Sequence, residues 1–150
     1  MKIAIQTDDF DVSTELAAMQ SSGVGAMVSF VGLVRSGASP FDITGLELEH
    51  YPGMTEKSLQ AIAQQAAQRW EILDAVIIHR VGVLPLGAQI VLVAVSSQHR
   101  RNAFAACEFI MDYLKTDAPF WKKELGVQGA RWVDARSTDV DALKRWGEAV

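Results

Sequence analysis

Residues 90–97, Ile-Val-Leu-Val-Ala-Val-Ser-Ser, form a short and almost wholly apolar run. Such a run predicts a central strand covered on both faces, so other elements must pack on each side of it. A long helix is expected directly after it, over residues 100–115. Phe104, Cys107, Met111 and Leu114 fall on one stripe of that helix. Ala103, Ala106, Ile110 and Tyr113 broaden the stripe, so the helix is expected to be buried on most sides. Its polar ridge is Arg101, Glu108, Asp112 and Lys115. Pro119 forbids continuation, because its ring clashes with the preceding turn and it has no N–H to donate.

The rest of the chain mixes both element types. Strands are predicted over 2–6, 26–34, 45–51 and 75–83, with short candidates at 121–125 and 131–135. Helices are predicted over 11–20, capped by Asp11 or Ser13, and over 55–70, capped by Thr55. A C-terminal helix over 139–149 is capped by Thr138 or Asp139. Leu46, Leu48 and His50 alternate onto one face of their strand. Residues 35–44 read as a Ser/Gly/Pro loop. The order lacks strict βαβ alternation, which favours α+β, with a mixed or antiparallel sheet and two long helices. At 150 residues one domain is expected, 1–150.

Composition removes several functions. A net charge of −4 argues against a general nucleic-acid binder. The single cysteine, Cys107, excludes an internal disulfide and a Cys-rich zinc site, and its place on an apolar stripe makes it core. His50, His79 and His99 have no metal-ligand spacing, so no metal or other cofactor is expected. The chain opens on a strand-like run rather than a signal peptide, and no apolar run reaches the ~18 residues of a membrane span. The expectation is a soluble cytoplasmic protein.

Against that acidic background, basic groups gather around one helix. His99-Arg100 opens it, where free backbone N–H groups attract anions. A solvated basic turn is the plainer reading of that pair. Lys115 lies in the last turn, and Lys122 follows the Pro119 break. Lys115 can simply complement the helix dipole and pair with Asp112. The functional reading needs a lysine able to release its proton, through burial or neighbouring cations. Lys122, Lys123 and Arg136 supply those cations if the chain folds back. Both readings stand open on these residues alone. Phe120-Trp121 and Arg131-Trp132 are packing aromatics or a wall for a heterocycle. Arg35 opens a loop at a strand end, a usual position for ligand contact or a plain exposed arginine. His50 and His79 read as structural histidines within strands.

Several blocks occur together: Glu49-His50-Tyr51-Pro52-Gly53-Met54, Ile78-His79-Arg80-Val81-Gly82, His99-Arg100, the run 109–116, Ala118-Pro119-Phe120-Trp121-Lys122, Arg131-Trp132-Val133 and Ala135-Arg136. In this order they resemble the large, catalytic subunit of molybdopterin synthase, over roughly residues 26–146. The resemblance implies an α/β-hammerhead fold and a central dimer of large subunits. It also implies a small ubiquitin-like partner at each end, giving a heterotetramer. The partner's Gly-Gly tail carries a thiocarboxylate, and its sulfur moves to cyclic pyranopterin monophosphate to build the dithiolene of molybdopterin. The resemblance puts catalytic roles on Lys115 and Lys122. It puts anion and pterin binding on Arg35, His99, Arg100 and Arg136, and pocket lining on Phe30. The His-Arg pair of such proteins can reach into the neighbouring subunit's pocket. Two other readings remain: a binding module that only holds an acidic partner, and a phosphate-ester enzyme using His99 as acid–base.

Overall fold

The computed structural model describes residues 1–36, 42–133 and 137–148. Arg136, residues 37–41 of the predicted 35–44 loop and the ends of the last predicted strand and helix lie outside them. In chain order the elements are β1 (Lys2–Gln6), α1 (Val12–Ala18), β2 (Ala26–Leu33), β3 (Ile43–His50), α2 (Met54–Arg69) and β4 (Asp74–Arg80). They continue with β5 (Gly82–Pro85), β6 (Gln89–Ser97), α3 (Arg100–Thr116), β7 (Phe120–Gly126), β8 (Gly129–Val133) and α4 (Ser137–Glu148).

The strands form two four-stranded sheets, not one: β1-β4-β6-β2 and β5-β3-β7-β8. Among the described residues β1 and β4 are the only neighbouring strands that pair in parallel, so the first sheet is mixed and the second antiparallel. β6 is interior, as its apolar run requires. Val91, Val93 and Val95 face α2 and α3, where Leu59, Ile62, Phe109 and Ile110 complete the main core. Leu92 and Ala94 face the other way and pack with Phe10, Met19, Val76 and Ile78. The period-2 alternation of one strand thus feeds two cores.

Three expectations need correction. The predicted strand 75–83 is two strands in different sheets. Gly82 has φ +93°, a left-handed conformation that glycine adopts without a Cβ clash, and the chain turns there. Phe104 lies off the buried face of α3 and is 61% exposed, while Phe109, absent from the predicted stripe, is fully buried. Phe109 sits among Trp70, Tyr113 and Trp146. Thr55 does not cap α2. Gly53 does, its N–H donating to Glu56 Oε2 at 2.9 Å, and Thr55 is buried inside the first turn.

α4 is tied to α3 by polar contacts. Asp112 Oδ2 accepts from Arg145 Nη2 at 2.8 Å and from Trp146 Nε1 at 2.6 Å. Arg145 also reaches Glu108 at 2.7 Å. Asp112 is therefore engaged by α4, and the expected Lys115–Asp112 pair does not form.

Gly25 marks a close approach ahead of α3. A Cβ there would stand 2.2 Å from the carbonyl oxygen of Gln98, backbone that cannot swing aside. We expect Gly25→Ala to cost about 1–3 kcal/mol, the usual penalty of overpacking. A lowered urea midpoint checks this; an unchanged midpoint would show that the approach relaxes freely.

Candidate active site

The site is built on the turn between α3 and β7. The helix ends at Thr116, with the N–H of Asp117 donating to the Tyr113 carbonyl at 2.7 Å. Pro119 then directs the chain into β7. Thr55 clamps the turn from α2. Its hydroxyl donates to the Pro119 carbonyl at 3.0 Å and accepts from the Tyr51 N–H at 2.9 Å. Lys115 and Lys122 stand on the two arms of this clamped turn.

Lys115 is exposed, and among the described residues it makes no hydrogen bond or ion pair. Lys122 is half-buried, opposite Leu48 of β3 and Val133 of β8. Opposed residues of antiparallel strands share a face, so Lys122 shares the inner face of the second sheet with Phe120, Glu124, Leu46 and Leu48. Buried Glu124 is held by Arg131, whose Nη2 lies 2.8 Å from its Oε1. Lys123 alternates outward, 3.5 Å from Glu47 and 4.5 Å from the Trp132 ring centroid.

Alternation also separates Phe120 from Trp121. Trp121 and Trp132 lie on the outer face, 46% and 54% exposed. Phe120 turns inward and stacks on His79, with ring centroids 3.8 Å apart and planes inclined by 17°. The two tryptophans therefore build no wall with Phe120. His79 is buried and its Nδ1 lies 2.8 Å from the Arg80 carbonyl oxygen. A carbonyl only accepts, so Nδ1 carries the proton and Nε2 the lone pair. Burial pushes the His79 pKa down to about 4, helped by the positive charges of Lys115 and His50 and opposed by the Arg80 hydrogen bond. His50 stands opposite Phe120 across the β3–β7 ladder, with Nε2 3.8 Å from Glu56 Oε1. That oxygen is buried and has no hydrogen-bond partner among the described residues.

The register locates the other candidates. α3 returns antiparallel along β6, so its C-terminal end lies beside the Gln89 end of that strand. His79 pairs with Val91 and Leu33 with Gln89, which brings His79 and the exit of β2 to the same end. Arg35 follows there, exposed, just after buried Val34, whose N–H donates to the Ala88 carbonyl at 2.9 Å. Phe30 pairs with Val93 on β2, the edge strand of the first sheet, and is 40% exposed.

His99 and Arg100 are elsewhere. They are exposed at the opposite end of α3, and His99 occupies the N-cap without a side-chain capping bond. The helical rise separates Arg100 from Lys115 by about 22 Å. One chain therefore does not gather all the cations into one pocket, contrary to the expectation of a single basic cluster. It has a lysine end with Arg35, and a His-Arg end. Neither His50 nor His79 was expected to belong to the site. The signals were their alternation with apolar strand residues and the glycine at 82, but the cross-sheet stack depends on two strands distant in sequence.

A family model described as "MoaE protein" matches residues 5–117. A molybdopterin synthase catalytic subunit from Ralstonia nicotianae is 58% identical over 147 residues, covering 97% of this chain and 84% of that protein. One of the same name from Vibrio cholerae is 54% identical and covers 97% of each. Among solved structures, a molybdopterin biosynthesis MoaE protein from Burkholderia ambifaria superposes with a TM-score of 0.84 at 56% identity, covering 97% of each chain.

Proposed function

The chain belongs to the MoaE protein family, and on that premise we propose that it is the catalytic subunit of a molybdopterin synthase. It transfers sulfur from the C-terminal thiocarboxylate of a small ubiquitin-like subunit to cyclic pyranopterin monophosphate, forming the dithiolene of molybdopterin. Two large subunits form the core of a heterotetramer. The two-sheet α+β arrangement fits an α/β-hammerhead working as one domain in the cytoplasm.

The observation that carries the mechanism is the clamped turn with Lys115 and Lys122 on its arms. The substrate carries a cyclic phosphate and each spent tail leaves a carboxylate, so cations suit every step. A Gly-Gly tail has no side chains to exclude it from a narrow channel. Its thiocarboxylate sulfur is already a nucleophile, so the protein's work is to align the partners, move protons and stabilise developing negative charge. Lys115 is the proton-transferring group. Lys122 holds the oxyanion. Arg35, on the same end of the fold, and Arg136 bind anionic substrate groups, and Phe30 lines the pocket.

His99 and Arg100 bind the substrate of the neighbouring subunit. The ~22 Å along α3 supports this, because the pair cannot serve the lysines of its own chain. Arg100→Ala raises KM for the pterin and changes kcat little. The test mixes two variants, Arg100→Ala and Lys115→Ala. At pterin concentrations far below the KM of the Arg100→Ala variant, where that variant alone is nearly silent, a shared pocket leaves one intact site in each mixed dimer, and random mixing recovers about a quarter of wild-type dithiolene formation in a two-fold dimer. No recovery, from chains shown to exchange, would put both residues in one chain's site, and an unchanged KM for Arg100→Ala alone would remove Arg100 from it.

A further inference from the structure

We propose that His79 is a positioning residue for the lysine pair: its buried ring fixes Phe120 by stacking and so sets how the Lys115 and Lys122 arms stand. The inference rests on the roles given above to the two lysines. Phe120 is the first residue of β7, between the two lysines in sequence and on the same face as Lys122. Its ring is near-parallel to His79 at 3.8 Å. His79 in turn cannot rotate freely, because Nδ1 is bonded to the Arg80 carbonyl and the ring is only 5% exposed. The Thr55–Pro119 bond fixes the turn's backbone from α2, and the His79–Phe120 stack fixes its first inward side chain from β4. The lysine arms thus stand on a turn held from two directions.

Charge points the same way. The titratable groups acting on His79 are Lys115 from α3 and His50 from β3, with Glu56 beyond His50. A protonated His79 would put a buried cation among them. Kept neutral, the ring offers packing and a lone pair but no charge to displace Lys115 or compete for the anionic tail.

The test uses the complex with the small subunit. His79→Ala is expected to lower kcat ~10- to 100-fold, the scale of a misplaced catalytic group, while KM for the pterin and partner binding stay close to wild type. His79→Phe keeps a neutral ring against Phe120 and is expected to restore most of that loss. A well-folded His79→Ala that turns over normally overturns the proposal, as does a His79→Phe no better than the alanine. Should His79→Ala fail to fold, nitrogen-15 shifts of His79 in the wild-type protein decide. A neutral ring protonated at Nδ1 at pH 6 supports the proposal, and a charged ring overturns it. Should Lys115→Ala itself prove fully active, the lysine assignment fails. An inactive Lys115→Ala beside a normal His79→Ala removes His79 alone.

Discussion

Lys115→Ala is expected to lower dithiolene formation by about 10²–10⁴-fold, the range of a lost general acid–base group, with the fold and the partner complex unchanged. The structural cost is small because Lys115 is exposed and makes no ion pair or hydrogen bond among the described residues. Surface substitutions of that kind usually shift stability by no more than about 0.5 kcal/mol. Lys115→Arg separates charge from proton transfer. Guanidinium keeps the positive charge but does not give up its proton, so this variant should bind the tail and remain slow. Single-turnover assays with thiocarboxylated partner measure both variants. Near-normal turnover by Lys115→Ala would remove it from the chemistry.

Lys122→Ala is expected to be the second most damaging change, with turnover down about 10²–10³-fold, as for a lost oxyanion donor. Its position explains why. Lys122 is half-buried on the inner face of the second sheet, where solvent screens it less than Lys115. If the two lysines act in one step, the double variant should be hardly worse than Lys115→Ala alone. Independent multiplication of the two losses in steady-state assays would show that they serve separate steps. An unimpaired Lys122→Ala would exclude it from the site.

Local pattern carried much of this fold. The apolar run at 90–97 and the Pro119 stop set β6 and the end of α3, because one needs cover on both faces and the other cannot continue a helix. Where pattern misled, long-range packing decided. Phe104 and Phe109 are both apolar on a helix with much buried surface, and only the positions of Trp70 and Trp146 select Phe109 for the core. The break at Gly82 reads as one strand because the residues on both sides suit a strand; its positive φ belongs to the fold. Lys115 and Lys122 were legible as a pair around a proline. The stack that steadies them was not, since His79 and Phe120 meet only when two sheets pack. The separation of His99-Arg100 from Lys115 follows from helix length alone, and it turns one expected cluster into two ends.

The most direct measurement is a single-turnover reaction of the purified chain with thiocarboxylated small subunit and cyclic pyranopterin monophosphate, following the pterin by mass. Sulfur-by-sulfur conversion to the dithiolene, with the tail left as carboxylate and the Lys115→Ala chain unreactive, is the predicted result. Tight binding of both partners with no sulfur moved, or release of phosphate from simple esters instead, would contradict it.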